Sequence, residues 1–385
     1  MSLKVSHRGA IPPFIVMDVM QAAAEREVQQ KAVYHLEVGQ PGTSAPRGVL
    51  DAARQAIDEN RLGYTLAKGI PELREAIAAH YGRTYSVELD PERIFVTTGS
   101  SAGFILSFLG AFDPGDRVAM ASPGYPCYRN ILSAFGIEPV PMLTEAEHRF
   151  QPTPELLENV MREGHRIDGL IVASPSNPTG TIIGPSEMAA LTNYCRENDI
   201  RFISDEIYHG LTYEGSATTA LSYDDHAIVI NSFSKYFSMT GWRLGWMVLP
   251  EDMMRSVECL AQNLFISAPT LSQIAGVAAF DCEDELKLNV SKYAANRKLL
   301  LSELPKAGFC QLAPVDGAFY IYANVAEMTN DSLTFCQRIL REAGVAITPG
   351  VDFDPDRGHR YIRFSFAESV EQVTGAAAAL IDWSN

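Results

Sequence analysis

The sequence contains few cysteines and none of the spacings by which cysteines bind metals. Its 385 residues include six cysteines, which are Cys127, Cys195, Cys259, Cys282, Cys310 and Cys336. None of them forms a C-x-x-C pair, and none stands with a histidine at the spacing of a zinc site. We therefore expect no metal centre, and we expect the reduced thiols of a cytoplasmic protein.

Long apolar runs and a surplus of positive charge are also missing. No stretch approaches the ~18 apolar residues of a membrane-spanning helix, and Met1 to Lys4 do not begin the apolar core of a signal peptide. Lys and Arg number 31 against 47 Asp and Glu, a formal net charge of -16. Because nucleic acids and anionic membranes attract positive surfaces, we expect the protein to bind neither.

Internal repeats and flexible linkers are absent, and the middle of the chain alternates short apolar runs with helix-like segments. The apolar runs cover residues 94–96, 117–120, 169–173, 201–204 and 227–230. Mostly apolar strands separated by helices indicate a mainly parallel sheet with helices on both faces. The sequence therefore predicts an α/β fold whose large domain covers residues 46–284.

The pattern changes after Asp284. A helical pattern covers residues 285–304, and the segment from Tyr361 to Phe366 then alternates, with Arg363 on its polar face. We predict a smaller α+β domain formed by the N- and C-terminal segments, residues 1–45 and 285–385.

Polar residues follow each predicted strand of the large domain. In parallel sheets, ligands bind beyond the carboxyl ends of the strands. The residues found there are Ser100 and Ser101, Tyr125, Asn177, Asp205 and Tyr208, and Ser232, Ser234 and Lys235. We therefore expect five separate loops to converge on one site.

Lys235 is the chemical centre of this predicted site. It ends the segment Ser232-Phe233-Ser234-Lys235, and Arg243 follows eight residues later. An amine in a fixed loop can form a Schiff base with an aldehyde, while hydroxyl and guanidinium groups can hold a phosphate. The spacing Ser-x-x-Lys-x7-Arg resembles the pyridoxal-phosphate lysine site of class I/II aminotransferases, which have PLP fold type I. The alternative is a solvated surface lysine.

Two other loops offer groups for the phosphate and the ring nitrogen of pyridoxal phosphate (PLP). Ser100 and Ser101 begin a predicted helix, whose free backbone N–H groups attract anions; they could also be ordinary helix caps. Asp205 can supply a negative charge to the pyridine nitrogen, which lets the ring accept electrons. Its alternative role is also to cap a helix.

The remaining groups would contact the ring oxygen, the ring face and the substrate. Tyr208 and Asn177 can donate to the ring oxygen, although Asn177 also fits a plain Asn-Pro turn. Tyr125 can stack on the ring or be a core residue. Arg363 can bind a substrate carboxylate through two parallel hydrogen bonds, or form a surface salt bridge.

The resemblance to class I/II aminotransferases extends along nearly the whole chain. Further matching motifs are Val38-Gly39-Gln40-Pro41, Gly63-Tyr64-Thr65 and Pro349-Gly350. The resemblance implies a PLP-dependent transaminase that moves an amino group between an L-amino acid and a 2-oxo acid by a ping-pong mechanism through the Schiff base of Lys235. It implies that the backbone of Gly39 meets the substrate carboxylate and that Tyr320 lines the pocket.

The resemblance also implies a homodimer. Tyr64 is similar to the tyrosine that reaches the cofactor phosphate of the neighbouring subunit, so each active site would be completed across a two-fold interface. We find no second arginine of the kind that dicarboxylate-specific members use for the substrate side chain. The sequence therefore leaves the amino donor open.

Two alternatives share the cofactor. A PLP-dependent carbon–sulfur β-lyase on the same fold would carry similar cofactor residues, so the sequence separates it poorly from a transaminase. A PLP-binding regulator without catalysis would carry a DNA-binding extension before this fold. Here the family pattern begins within the first forty residues and the charge is acidic, which favours an enzyme.

Overall fold

The structure is a computed structural model that describes residues 3–60, 62–164 and 166–385. In chain order the strands are β1 Tyr34–His35, β2 Ile94–Thr97, β3 Arg117–Ser122, β4 Glu138–Leu143, β5 Gly169–Ala173, β6 Arg201–Asp205, β7 Ile228–Ser232, β8 Gly245–Val248, β9 Gln311–Leu312, β10 Tyr320–Asn324, β11 Val345–Ala346, β12 Thr348–Pro349 and β13 Tyr361–Ser365. The helices are α1 Ile15–Val28, α2 Arg47–Glu59, α3 Pro71–Tyr85, α4 Gly99–Ala111, α5 Pro126–Phe135, α6 Pro154–Arg162, α7 Pro185–Glu197, α8 Met254–Leu264, α9 Thr270–Ala279, α10 Glu283–Glu303, α11 Ser332–Ala343 and α12 Val370–Ser384. Among the described residues, no helix is both long enough and apolar enough to cross a bilayer.

A seven-stranded sheet forms the centre of the molecule, with the strand order β2-β8-β7-β6-β5-β3-β4. Strands β4, β3, β5, β6 and β7 pair in parallel. Strand β8 is antiparallel to both of its neighbours, β2 and β7, so β2 points the same way as the parallel strands. The predicted mainly parallel sheet is confirmed.

Helices cover both faces of this sheet because its strands are apolar on both sides. Ile171 and Ile203 pack in a cluster with side chains of α4, α5 and α8. The preceding residues, Leu170 and Phe202, pack on the other face with side chains of α2, α3, α6, α7 and α9. Successive side chains of a strand point to opposite faces, so each strand contributes to two hydrophobic layers.

The C-terminal part of the chain forms a separate, antiparallel sheet with the order β12-β13-β10-β9. Strand β1 pairs in parallel with β11, and this pairing joins the N-terminal segment to the C-terminal part. Helix α10 leads from the large sheet to this smaller α+β unit and begins two residues before the predicted helical pattern. The predicted domain limits, 46–284 against 1–45 and 285–385, remain predictions.

Local features fix the loops at the carboxyl edge of the large sheet. Helix α4 starts at Gly99, whose φ of 72° suits a residue without a side chain. Helix α5 starts with Pro126, which needs no backbone donor at the first helical position and leaves Tyr125 just before the helix. Both helices begin within four residues of the ends of their strands, at the same edge of the sheet.

Candidate active site

A cavity of about 540 Å³ lies where the strand-end loops meet the smaller sheet. The predicted site residues that line it are Gly39, Ser100, Ser101, Tyr125, Asn177, Asp205, Tyr208, Ser234, Lys235, Arg243 and Arg363. Predicted residues from both sheets and from the N-terminal segment thus surround one space.

Lys235 lies between the large sheet and the N-terminal segment. Its Nζ atom donates to the carbonyl oxygen of Gly39 at 2.6 Å. Burial lowers the pKa of Lys235 to about 8, and the positive charge of Arg363 acts in the same direction. A fraction of the side chain is therefore neutral near pH 7, and a neutral amine is the nucleophilic form.

Asp205 is almost completely buried at the end of β6. Its Oδ2 atom accepts from the hydroxyl of Tyr128, and its Oδ1 atom accepts from the N–H of Ile207 at 3.1 Å. Burial raises the pKa of Asp205 to about 6, and these two hydrogen bonds act in the opposite direction. Neither partner carries a positive charge, so a cationic group in the cavity would supply the missing counter-charge.

Two tyrosines and an asparagine stand beside Lys235. The hydroxyl oxygens of Tyr208 and Tyr320 are 2.7 Å apart, and the Nζ atom of Lys235 is 5.9 Å from the ring centre of Tyr208. Asn177 uses its Oδ1 atom to accept from Arg363 at 2.8 Å, which leaves its amide N–H groups for a ligand.

Arg363 is a buried cation on the smaller sheet, with only 2% of its surface exposed. Its Nη2 atom donates to the carbonyl oxygen of Glu37 and lies 3.2 Å from the hydroxyl of Thr348. The guanidinium lies over two aromatic rings, 4.3 Å from the ring centre of Tyr320 and 4.7 Å from that of Phe353. No carboxylate of the described chain pairs with this guanidinium among its hydrogen bonds, so it suits an incoming one.

An anion cradle forms at the start of α4. A Cβ atom placed on Gly99 would lie 2.5 Å from the Nη2 atom of Arg243, so the guanidinium sits directly against the first helical turn. Ser100 and Ser101 follow in the same turn. Free N–H groups at a helix start and a guanidinium together fit a phosphate.

One wall of the cavity is apolar and comes partly from the N-terminal helix. Phe14, Val16 and Met17 line it together with Val38 and Ile131. The ring of Phe14 packs edge-on against Tyr125, with 5.8 Å between the ring centres.

A contact with the smaller unit holds this helix in place. The carboxylate of Asp352 accepts from the N–H groups of Ile15 and Val16, each at 3.2 Å, and so caps the start of α1. The position of the apolar wall therefore depends on a residue more than three hundred positions away in the sequence.

Two predicted site residues do not line this cavity. The hydroxyl of Ser232 accepts from the N–H of Ser234 at 3.0 Å and lies 2.9 Å from the hydroxyl of Ser234, so it stabilises the loop. Tyr64 lies on a surface loop with 84% of its surface exposed. Their predicted contacts with a phosphate remain predictions.

Sequence reasoning missed Tyr128 and the N-terminal residues. Tyr128 stands three residues after Tyr125, one turn into α5, and this spacing could have placed both tyrosines on the same side of the helix. No comparable signal marks Phe14, Val16 and Met17, because the capping contact that positions them lies far away in the chain.

The sequence model of the family described as "Aminotransferase class I and II" matches residues 31–380. The chain belongs to this family. Among curated aminotransferases, the chain is 50% identical over 387 residues to the valine–pyruvate aminotransferase of Mycobacterium tuberculosis, which covers 100% of this chain and 99% of that protein.

Solved aminotransferase structures agree with this assignment. The crystal structure of an aminotransferase from Mycobacterium tuberculosis has a TM-score of 0.96 and 49% identity, and covers 99% of both chains. The aspartate aminotransferase of Thermus thermophilus with maleate has a TM-score of 0.92 and 30% identity, and covers 99% of this chain and 100% of that one. The chain is a PLP-dependent transaminase with the fold type I architecture.

The cavity of this aminotransferase fits PLP on three observations. Arg243 lies against the first turn of α4, Asp205 is a buried carboxylate without a cationic hydrogen-bond partner, and Lys235 is an amine with a lowered pKa. When bound, PLP supplies an aldehyde that reacts with amines and a ring that withdraws electrons from the substrate. None of the relatives named above favours the lyase alternative.

Proposed function

We propose that the residues around this cavity form three sets. One set holds the phosphate of the cofactor, the second contacts its ring, and the third is the reactive amine of Lys235. Ser100, Ser101 and Arg243 would hold the phosphate of PLP, with Ser232 and Ser234 supporting the loop below it. Asp205 would face the ring nitrogen, Tyr208 and Asn177 the ring oxygen, and Tyr125 the ring face. The geometry of the α4 cradle and the burial of Asp205 support this arrangement.

Lys235 would be both the attachment point and the proton carrier. Its Nζ atom can accept the proton from the substrate Cα atom, because burial holds its pKa near neutrality, at about 8. Arg363 and the backbone of Gly39 would orient the substrate carboxylate, since Gly39 accepts from Lys235 and Arg363 donates to the carbonyl of Glu37 in the same N-terminal segment. The ring of Tyr208 lies beside the same amine. Tyr208 would therefore act in catalysis together with Lys235 and Asp205.

We further propose that the amino donor is an amino acid with an apolar side chain, such as valine, and that pyruvate is an acceptor. The observation that carries this proposal is the cavity lining. Among the described residues that line it, the cations are Lys235, Arg243 and Arg363, and each already has a proposed role. The wall of Phe14, Val16, Met17, Val38 and Ile131 offers no partner to a charged side chain.

The relative at 50% identity supports the same substrate class, because its name specifies valine and pyruvate. A panel of amino donors with pyruvate and 2-oxoglutarate as acceptors tests the proposal. We expect kcat/KM for valine to exceed that for aspartate by about 100-fold or more, because a carboxylate against an apolar wall loses hydration without gaining a partner. The measurement is the initial rate of oxo acid formation.

The same panel separates the competing functions. Equal kcat/KM values for valine and aspartate would contradict the proposed donor class. Continued release of ammonia and pyruvate from an amino acid, without any oxo acid acceptor, would favour the carbon–sulfur lyase. A transaminase stops after one turnover under that condition, because its cofactor then holds the amino group.

We also propose a homodimer in which Tyr64 reaches the cofactor phosphate of the partner. The loop of Tyr64, the end of α8 and the loop after it expose a group of apolar side chains, which are Leu62, Tyr64, Leu66, Leu264 and Ile266. Hydrogen bonds from Gln273 to Thr65 at 3.0 Å and from Ser272 to the carbonyl of Trp242 at 2.7 Å connect these loops to the Arg243 segment. A second copy of this chain would bury the apolar group beside the phosphate cradle.

Hybrid dimers test this arrangement. We expect Tyr64→Ala to weaken PLP binding by about 10-fold or more, the loss of one charge-assisted hydrogen bond. Co-expression of Tyr64→Ala with Lys235→Ala on differently tagged chains would place an intact Lys235 opposite an intact Tyr64. The purified hybrid should regain one site of wild-type PLP affinity, measured by fluorescence titration. No recovery in the hybrid would contradict a Tyr64 that acts across the interface.

The cysteines support a cytoplasmic location, which we propose on chemical grounds. All six are free thiols in the structure, and Cys195 and Cys336 are buried. Reducing compartments keep such thiols unpaired.

A further inference from the structure

Tyr320 occupies the junction between the proposed substrate carboxylate site and the proposed ring-oxygen donor. It lies on β10 with 1% of its surface exposed, and its hydroxyl is 2.7 Å from that of Tyr208. The guanidinium of Arg363 covers its ring, at 4.3 Å from the ring centre. A Cβ atom placed on Gly39 would overlap the Tyr320 hydroxyl, so the backbone of Gly39 also touches this group.

The hydrogen bond between the two tyrosines can run in either direction, but a ligand would fix it. Each phenol has one proton to donate. If Tyr208 donates its proton to an oxygen atom in the cavity, its own oxygen can only accept from Tyr320. A hydroxyl that accepts one hydrogen bond becomes a stronger donor in another.

The surroundings of Tyr320 favour it as the donor of this pair. Burial raises the pKa of Tyr320, but the nearby positive charge of Arg363 acts in the opposite direction. Burial and the interaction with Tyr320 raise the pKa of Tyr208, and the positive charge of Arg363 acts in the opposite direction there too. The guanidinium of Arg363 lies directly over the ring of Tyr320, and this adjacent positive charge strengthens its hydroxyl as a donor.

We propose that Tyr320 is a positioning residue that donates to Tyr208 and thereby directs the Tyr208 proton toward the ring oxygen of PLP. Tyr320 would also connect Arg363 to the cofactor end of the site, because the same side chain contacts both. The inference rests on the proposed role of Tyr208, and its test separates the two.

The test measures the pH midpoint of the visible absorbance change of bound PLP in four proteins. These are the wild type, Tyr320→Phe, Tyr208→Phe and the double variant. A hydrogen bond to the ring oxygen stabilises its anionic form, so loss of the bond raises the midpoint. We expect Tyr208→Phe to raise it by about one pH unit, and Tyr320→Phe by about half a unit because it acts through Tyr208.

The double variant provides the decisive comparison. If Tyr320 acts through Tyr208, then Tyr320→Phe shifts the midpoint in the wild type but not in the Tyr208→Phe background. Tyr322→Phe is the matched control, because Tyr322 is buried on the same strand and its hydroxyl has no partner among the described residues. This control should leave the midpoint unchanged.

Two results would overturn the inference while leaving the proposed role of Tyr208 intact. The first is an unchanged midpoint in Tyr320→Phe. The second is an equal shift from Tyr320→Phe in both backgrounds, which would indicate a general structural effect. An unchanged midpoint in Tyr208→Phe would instead refute the role of Tyr208, and the inference about Tyr320 would fail with it.

Discussion

Replacement of Lys235 by alanine is expected to remove transaminase activity, with kcat falling by at least about 10⁴-fold. The upper range for loss of a general base is about 10⁴-fold, and the loss of a covalent attachment point adds to it. Borohydride reduction followed by peptide mass spectrometry should detect a pyridoxyl group on Lys235 in the wild type and none in the variant. Initial rates with valine and pyruvate measure the loss of activity.

Lys68→Ala serves as the control for this experiment. Lys68 lies beside β2, where its carbonyl oxygen accepts from the N–H of Val96, and it pairs with Glu92 at 3.2 Å, outside the cavity. This control should keep both the rate and the pyridoxyl group on Lys235. A Lys235→Ala protein that turns over normally, or a wild-type adduct on another lysine, would refute the assignment of Lys235.

Replacement of Arg363 by glutamine should lower kcat/KM for valine by about 10²- to 10⁴-fold. Two hydrogen bonds from a buried guanidinium to a carboxylate contribute about 1.5–3 kcal/mol each, and each 1.4 kcal/mol corresponds to about a factor of ten. The variant should also discriminate poorly between valine and isobutylamine, which lacks the carboxylate. Rates with both amines at matched concentrations measure this ratio.

The exposed Arg360, which directly precedes the first residue of β13, is the control for Arg363. Arg360→Gln should leave both rates unchanged. Because Arg363 also bonds to Asn177 and to the backbone of Glu37, thermal unfolding must be followed in parallel. An unchanged preference of Arg363→Gln for valine over isobutylamine would contradict the proposed carboxylate site.

The large sheet and the catalytic loops could be predicted because local patterns determine them. Apolar runs such as residues 169–173 form strands that are buried on both faces. In a parallel sheet, residues directly after the strands must meet at one edge, and this rule brought Asp205 and Lys235 to the same cavity.

Long-range contacts account for what the sequence did not reveal. Asp352 caps α1 across 337 positions and thereby places Phe14 and Val16 in the cavity wall. Tyr128 and Asp205 are 77 residues apart, and nothing in the local sequence indicates that one bonds to the other. The hydroxyl of Ser232 illustrates the reverse case, because its local bonds within the loop compete with the predicted ligand contact.

The close approach of Gly39 and Tyr320 links the mutational tolerance of two distant positions. The phenol oxygen occupies the space that any side chain at position 39 would need. A library that varies position 39 alone should therefore return mostly glycine, while a library that varies both positions could also yield alanine or serine beside a smaller partner. Engineering of new substrate ranges in this enzyme would have to treat the two codons as one unit.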